Sequence, residues 1–462
     1  MPPSVYPTGT TIYYPDKCWN GYTLFQTELH RNNGYGAVLI DMNGNAVNRW
    51  KGLDGMPNKM LPGGHIMGST GVRNFKYGYQ DMVDLVEADW EGNIVWKFDE
   101  YELVKDPRQK PRWMARQHHD YQREGNPVGY YVPGMEPKTG GGKTLILCHK
   151  DINNPKISGK VLVDDTIIEV DGRGKITWEW TCSEHFEEMG FSHRAKSTIK
   201  RNPGMKPAGG GLGDWMHMNS MSTLGPNKFN DSGDKRFHPD NIIWDGRQTN
   251  IIAIIDRKTG KIVWQLGPYF TATKALRKIG QIIGQHHAHM IPRGLPGEGN
   301  ILLFDNGGAA GYGVPNPGAP TGLDNARRDF SRVLEFDPIT LEIKWQYPPT
   351  GPGFGGNRLY SSFVSSAQRL PNGNTLITEG NSGRIIEVTA EQETVWEYIS
   401  PYKHRMFNMY LIYRAYRVPY DWAPQAERPK ETAVPRIDIK KFRVPGSPRR
   451  QRERVTNIKP SK

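Results

Sequence analysis

Cysteine is scarce in this sequence, which has only three cysteines among 462 residues, at positions 18, 148 and 182. Their odd number and wide spacing exclude both a disulfide framework and a C-x-x-C zinc motif. The chain also lacks an apolar run near the roughly 18 residues that a membrane span needs, and its first residues contain no charged segment followed by an apolar one. We therefore expect a reduced, cytoplasmic protein that does not contact a membrane.

Long amphipathic helices are almost absent as well, and only residues 101–116 and 271–283 have a pattern that favours a helix. Glycine and proline are instead abundant, with 52 and 35 residues and no collagen-like period. Together with 11% aromatic residues, this composition is typical of many short strands connected by turns. The sequence therefore predicts an all-β fold.

The net charge of +12 is concentrated near the C-terminus. Between Arg428 and Lys462 the chain has twelve Lys and Arg residues against three acidic ones, so this segment contributes nine of the twelve positive charges. The preceding part is nearly neutral, which argues against nucleic acid as its partner. We predict a catalytic domain over residues 1–424 and a basic, Pro-rich extension over residues 425–462. We expect the extension to be held by a neighbouring subunit of a homo-oligomer or by the rim of the domain.

A hairpin that ends in tryptophan recurs six times along the chain. Most copies have a β-rich run, a polar turn that usually contains Gly or Asn, and a short strand that ends in Trp. The six copies are residues 41–50 (DMNGNAVNRW), 89–96 (DWEGNIVW), 171–180 (DGRGKITWEW), 256–264 (DRKTGKIVW), 337–345 (DPITLEIKW) and 387–396 (EVTAEQETVW). We expect these tryptophans to fill the gaps between neighbouring sheets and to have no catalytic role.

A second hairpin alternates with the first, and its clearest copy is residues 368–380 (QRLPNGNTLITEG). Two hairpins make a four-stranded antiparallel sheet, and such sheets repeated around an axis form a β-propeller. Six Trp hairpins and five complete hairpins of the second kind predict a six-bladed β-propeller, whose N-terminal segment closes the ring against strands near residues 413–418. The segments between the hairpins are predicted to be loop or helical insertions over the ends of the ring.

Histidines recur at the start of one strand of the second hairpin. When the hairpins are aligned on the Leu-Pro-Asn-Gly turn, the position five residues earlier is His286 in one copy and His119 in another, and His217 lies two residues from it in a third. Equivalent positions of the innermost strands converge on the axis of a propeller, so we predict that these three share a pocket in the central channel. Strand alternation places His287 and His289 on the face opposite to His286.

Several long motifs resemble those of the bacterial arylsulfotransferases, which use an aryl sulfate and not a nucleotide sulfate (PAPS) as the donor. The matching segments are residues 22–25 (YTLF), 39–45 (LIDMNGN), 118–120 (HHD), 214–221 (DWMHMNSM), 285–288 (QHHA), 305–307 (DNG), 368–380 and 414–417 (RAYR). They cover roughly residues 8–420 and leave out the basic extension. The resemblance implies a six-bladed propeller that transfers a sulfuryl group to a phenolic acceptor by a ping-pong route, with a transiently sulfated histidine and no cofactor.

Matched residue by residue, the resemblance implies that His286 is the nucleophile. It also implies that His119 is the general acid/base, with His118 as its partner. The residues that would hold the sulfuryl oxygens are His217, Asn219 and Arg247. The residues that we expect to contact the small aromatic substrate are His118, His287 and Asn306. These residue types suit the chemistry, because neutral imidazole is a competent nucleophile near neutral pH and charge on sulfuryl oxygens requires preorganised donors.

The residues also allow two other functions. Several imidazoles that converge on an axis are good ligands for zinc, iron, manganese or copper. A metal-dependent lyase, hydrolase or hydratase with His119, His217 and His286 as metal ligands is therefore the second interpretation. The third is a non-catalytic propeller that binds a partner, an interpretation that leaves the ring of histidines unexplained.

Overall fold

The computed structural model describes residues 7–27, 36–53, 55–74, 76–78, 80–204, 213–348, 359–403, 409–436 and 438. In these ranges, six antiparallel four-stranded sheets form a six-bladed β-propeller, which confirms the predicted fold class. No helix in this part of the chain is long and apolar enough to cross a membrane. Most of the predicted basic extension, residues 439–462, lies outside the described ranges.

The blades are numbered along the chain, and the strands of each are given from the channel outwards. Blade 1 consists of Ala415–Val418, Tyr22–Gln26, Ala37–Ile40 and Ala46–Trp50. Blade 2 consists of Lys59–Leu61, His65–Gly68, Leu85–Ala88 and Ile94–Phe98. Blade 3 consists of Gln117–Arg123, Thr144–Ile152, Leu162–Val170 and Ile176–Thr181. Blade 4 consists of Met218–Thr223, Ile242–Gly246, Ile251–Ile255 and Ile262–Leu266, blade 5 of His286–Met290, Ile301–Asp305, Arg332–Phe336 and Ile343–Tyr347, and blade 6 of Ser366–Arg369, Thr375–Glu379, Arg384–Val388 and Thr394–Ile399.

Burial along the strands follows their place in the blade. The third strand of blade 4, Ile251–Ile255, is buried at every position, because neighbouring blades cover both of its faces and β-branched side chains pack well there. The outermost strand of blade 2, Ile94–Phe98, instead alternates, with Trp96 and Phe98 buried. The core is therefore a set of apolar layers between blades, arranged around the channel.

Two strand pairings close the ring. The strand Ala415–Val418 pairs antiparallel with Tyr22–Gln26 and becomes the innermost strand of blade 1. The strand Gly9–Tyr13 pairs with Thr394–Ile399 and adds a fifth, outermost strand to blade 6. The closure that the sequence predicts near residues 413–418 is confirmed.

The six repeat tryptophans each donate an indole N–H to a turn of the next blade. The bonds, 2.8–3.1 Å long, run from Trp50 to the carbonyl of Asp89, from Trp96 to Gly172, from Trp180 to Gly260, from Trp264 to Pro338, from Trp345 to Ala390 and from Trp396 to Met42. Each indole thus fills the gap between blades and satisfies a turn carbonyl. The last bond joins blade 6 to blade 1, so these contacts run around the whole ring.

Insertions between the strands carry the remaining regular structure. The α-helices are His193–Arg201, Lys228–Asp231 and Lys274–Ile279, and the 3-10 helices are Pro15–Lys17, Pro62–Gly64, Cys182–His185, Lys235–Phe237, Gly380–Ser382 and Tyr420–Trp422. Two-stranded sheets pair Glu102–Val104 with Arg112–Met114 and Ala310–Tyr312 with Leu323–Ala326. A helix within residues 271–283 is confirmed. The helix predicted over residues 101–116 is wrong, because Pro107 and Pro111 interrupt it and the segment folds into a small sheet.

The first residues of the predicted extension lie against the propeller. The hydroxyl of Tyr22 donates to the carbonyl of Glu427 at 3.1 Å. Val434 exchanges two backbone hydrogen bonds with Tyr13, at 2.7 and 2.9 Å. Residues 425–436 are therefore held by blade 1 and by the outermost strand of blade 6.

Candidate active site

Three histidines near the start of the innermost strands of blades 3, 4 and 5 have an uncommon backbone conformation. His119, His217 and His287 have φ values of +53°, +53° and +57°, and the pairing with the second strand shifts register beside each of them. Such a bulge re-aims side chains at the end of a strand, and the left-handed conformation costs on the order of 1–2 kcal/mol. The residue equivalent to His119 and His217 in backbone conformation is therefore His287, one position later than the alignment predicts.

The predicted trio of His119, His217 and His286 nevertheless lies in one pocket. The rings of His119 and His217 meet edge to face with their centroids 4.6 Å apart. Burial lowers the pKa of His119 well below its usual range, and His217 and His286 contribute to the shift. His286 adjoins the other two through Val364, whose N–H it accepts and which shares an apolar cluster with Tyr413, whose ring lies 5.6 Å from that of His119. The three side chains are brought together from blades 3, 4 and 5.

His286 is held in one neutral tautomer. Its Nδ1–H donates to Oδ1 of Asn306 at 2.7 Å, and Nδ2 of Asn306 donates to the carbonyls of Ser361 and Val364 at 2.7 and 2.8 Å, which fixes the amide orientation. The Nε2 atom of His286 accepts the backbone N–H of Val364 at 3.1 Å. Burial, reinforced by the charge of Arg247, holds the pKa of His286 well below its usual range. The lone pair of the ring is therefore on Nε2.

Besides burial, the charges of Arg247 and His217 lower the pKa of His286, so both groups lie in its surroundings. Nδ1 of His217 lies 2.6 Å from Oδ2 of Asp214, so the buried carboxylate orients the ring as in other acid–histidine pairs. Arg247 extends from the end of blade 4, and its guanidinium lowers the pKa of His286. A cation and an oriented imidazole next to a neutral imidazole make a site for an anionic group.

The Asn219 side chain is engaged within the protein. Its Nδ2 donates to the backbone carbonyl of Gln285 at 3.0 Å, which ties blade 4 to the residue before His286. The sequence predicts that Asn219 would present its N–H to the substrate. In the structure, the bond to Gln285 positions the strand that carries His286, and the contact with substrate stays a prediction.

The pocket also contains buried residues that sequence reasoning missed. The ring of His118 stacks on that of His149 with centroids 3.6 Å apart, and Nδ1 of His118 lies 2.8 Å from Nδ1 of His119. Asp165 lies across from both rings, with Oδ1 3.2 Å from Nε2 of His118. The available signal was the position of His149 and Asp165 near the apolar runs 145–148 and 167–168 of their strands, since such residues are seldom fully buried without a partner.

The predicted metal ligands His119, His217 and His286 do not make a ligand group among the described residues. There, the group whose donor atoms all lie within 4.8 Å of one another is His118, His149 and Asp165. In addition, both ring nitrogens of His286 are used in hydrogen bonds.

His287 and His289 form a second cluster. Their ring centroids are 4.5 Å apart, which confirms that they share a face. The Nε2 atom of His289 accepts the hydroxyl proton of Tyr130 at 2.8 Å, and His287 lies edge-on to Tyr416 at 5.9 Å. The structure therefore places His287 in this second cluster and not beside Asn306 and His286.

A buried ionic network adjoins both clusters. Arg414 is fully buried, lies 2.9 Å from Asp120, and donates to the backbone carbonyl of Asn219. Asp120 also pairs with Lys59. Because several groups share each charge, this network satisfies ions that would be costly to bury singly. The buried side chains of this network fill the interior of the ring beside the histidine pocket.

Comparison with known proteins places the chain among sulfuryl-transfer enzymes. The family model "Arylsulfotransferase (ASST)" matches residues 137–415, more than half of the chain. The match contains all of the predicted site residues except His118 and His119. No curated protein matches the chain.

Solved structures resemble the chain only distantly. A protein of unknown function from Bacteroides caccae is 11% identical, with a TM-score of 0.44 and coverage of 86% of this chain and 99% of the other. Virginiamycin B lyase from Staphylococcus aureus is 11% identical, with a TM-score of 0.35 and coverage of 86% of each chain. Such distant likenesses carry no functional argument. The extended family match does, and the chain belongs to the arylsulfotransferase family.

Proposed function

We propose that this protein transfers a sulfuryl group from an aryl sulfate to a phenolic acceptor through a sulfohistidine at His286. The observation that carries the proposal is the single neutral tautomer of His286. Asn306 holds the proton on Nδ1 and leaves the lone pair on Nε2, and a neutral imidazole is the nucleophilic form. Arg247 and His217, whose charges act on His286, would stabilise charge on the sulfuryl oxygens.

The reaction divides into two balanced steps. In the first, the Nε2–S bond forms, the aryl O–S bond breaks, and the phenolate leaves with a proton from His119. In the second, the oxygen of the acceptor phenol attacks sulfur, the N–S bond breaks, and the phenol proton returns to His119. Burial lowers the pKa of His119 and favours its neutral form. We expect the negative charge of a bound aryl sulfate to raise this pKa and so to favour the protonated form that the first step requires.

An apolar cluster beside the histidines offers a site for the aryl ring. Its buried members are Met56, Met82, Val364, Leu411 and Tyr413, with Val72 and Phe363 partly buried against them. The ring of Tyr413 lies 5.6 Å from that of His119. An aromatic group in this cluster would bury apolar surface while its sulfate reaches the imidazoles.

Attack by His286 requires the hydrogen bond from Val364 to break. Val364 is β-branched with φ +58°, and Ser365 follows with φ +90°. Each such conformation costs on the order of 1–3 kcal/mol, so rotation of this segment would release strain as the N–H leaves Nε2. We expect the bound aryl sulfate to displace this N–H.

Mass spectrometry of the intact protein at neutral pH tests the proposal. After incubation with 4-nitrophenyl sulfate, the wild-type protein should release nitrophenol and gain one sulfuryl group, and His286→Ala should do neither. His289→Gln is the matched control, because it removes another buried neutral histidine from the same strand and should keep the adduct. A wild-type protein with no adduct and no nitrophenol release would refute the proposal, as would an adduct that persists in folded His286→Ala.

A further inference from the structure

The cluster of His118, His149 and Asp165 has the composition and spacing of a metal site, and we infer that it binds one divalent transition-metal ion, with Zn²⁺ as the reference ion. All three residues are fully buried, and their donor atoms lie within 4.8 Å of one another. Two imidazoles and a carboxylate are the donor set of many zinc and non-haem iron sites. This set differs from the ring of channel histidines that the sequence predicts as ligands.

The donor atoms of the cluster lack well-formed hydrogen bonds, and the backbone N–H of Met218 approaches the carboxylate of Asp165. Nε2 of His118, Nε2 of His149 and both carboxylate oxygens of Asp165 make no hydrogen bond of acceptable geometry. Leaving a buried polar atom unsatisfied costs about 1–3 kcal/mol for each group. An ion bound among them would satisfy all three side chains at once, and this unpaired set is the main argument for the site.

The spacing is close to what an ion requires. Oδ1 of Asp165 lies 3.2 Å from Nε2 of His118 and 3.9 Å from Nε2 of His149. Tetrahedral ligands at about 2.0–2.2 Å from a metal stand roughly 3.3–3.6 Å apart. Because the rings of His118 and His149 are stacked with an interplanar angle of 13°, at least one ring must tilt out of the stack before both Nε2 lone pairs point at one ion, with water in the remaining position.

A second layer of contacts orients His149 for metal binding. In the neutral ring, Nδ1–H donates to Oδ1 of Asp81 at 2.6 Å, which leaves the lone pair on Nε2. Despite burial, the Asp81 carboxylate raises the pKa of His149, so an ion must displace the Nε2 proton of the charged ring. The same carboxylate accepts from Arg73 at 2.9 Å and from Arg116 at 3.0 Å. A carboxylate that fixes the tautomer of a ligating histidine is the usual second layer of a metal site.

Metal analysis of the purified full-length protein tests the site without any assay of activity. We expect about one equivalent of a transition metal in the wild type, or one Zn²⁺ bound in a calorimetric titration of chelator-treated protein. His149→Gln and Asp165→Asn should weaken Zn²⁺ binding by on the order of 100-fold or more, and Asp81→Asn by roughly 10- to 100-fold. The control His238→Gln changes an exposed histidine and should bind normally.

Two results would overturn the site: chelator-treated wild-type protein that takes up no Zn²⁺, and stoichiometric metal in both folded ligand variants. If the ligand variants do not fold, the wild-type titration decides alone. The His286→Ala variant should retain the metal. A sulfuryl adduct in a protein that binds no metal would refute this site and leave the proposed function standing, and metal without an adduct would do the reverse.

Discussion

Asn306 controls the chemistry of His286 at the scale of single residues. Its amide accepts the Nδ1 proton of His286 and is itself oriented by the carbonyls of Ser361 and Val364. We predict that Asn306→Leu, which keeps the volume and removes the acceptor, slows single-turnover nitrophenol release by roughly 100-fold and alters its pH profile. The control Asn316→Leu changes an exposed loop residue. An unchanged rate in folded Asn306→Leu would show that the tautomer is set elsewhere.

The burial of His289 predicts that the folded protein loses stability in acid. Burial lowers its pKa to about 4, and both ring nitrogens are already used, by Tyr130 and by the carbonyl of His287. Between pH 6.5 and 4 the unfolded chain binds a proton here that the folded protein does not, so stability is lost as the pH falls through this window.

Urea unfolding of His289→Gln measures that loss. At pH 4.5 the histidine costs the wild type roughly 2–3 kcal/mol relative to pH 7. The fall in the free energy of unfolding between these pH values should be smaller by this amount in the variant. An identical fall in both proteins would mean that burial does not keep His289 neutral in the folded state.

At the scale of elements, the indole hydrogen bonds between blades predict that replacing different tryptophans lowers the free energy of unfolding by different amounts. Trp396 is fully buried and donates to Met42, which is also buried. Trp345 donates to Ala390, which is exposed. Trp396→Phe should therefore lower the free energy of unfolding by about 1–3 kcal/mol, because a buried indole and its hydrogen bond are lost, although the carbonyl of Met42 keeps the hydroxyl of Thr10.

The matched variant is Trp345→Phe, in which water can replace the indole at the carbonyl. We expect this variant to lower the free energy of unfolding by about 1 kcal/mol or less. Equal costs in chemical denaturation would show that the packing of the indole, and not its N–H, determines the stability of the blade contact.

The signal for these contacts is local, which explains why the sequence predicted them. Each copy contains its own turn residues, alternating strand and terminal Trp, and period-two strands and Gly-containing turns form from neighbouring residues. The helix predicted over residues 101–116 was wrong for the opposite reason. Pro107 and Pro111 interrupt the helix-like pattern there, and the segment instead forms a small sheet whose strand pairing the pattern does not predict.

At the scale of the whole molecule, truncation separates two roles of the C-terminal extension. Residues 425–436 contact the rim through Tyr22, Asn43 and Tyr13. Ending the chain after Pro424 should lower the free energy of unfolding by roughly 3 kcal/mol, because several hydrogen bonds of about 1 kcal/mol each are lost.

Ending the chain after Arg436 keeps these rim contacts. It should therefore leave stability unchanged and reduce the oligomer size in light scattering if the basic segment joins subunits, as we predict. Equal stability of the two truncated proteins would show that the rim contacts contribute little.

The sequence by itself determined the number of blades, the closure of the ring and the family, because strand period, turn chemistry and long motifs lie in consecutive residues. It also identified His119, His217 and His286 as neighbours, since equivalent strand starts meet at an axis. Only the tertiary structure decided what surrounds them. Asn306 fixed the tautomer of His286, Tyr130 came to pair with His289, and His149 and Asp165 came to face His118. Those features depend on backbone conformation and on partners from separate strands and blades, which no local pattern of residues encodes.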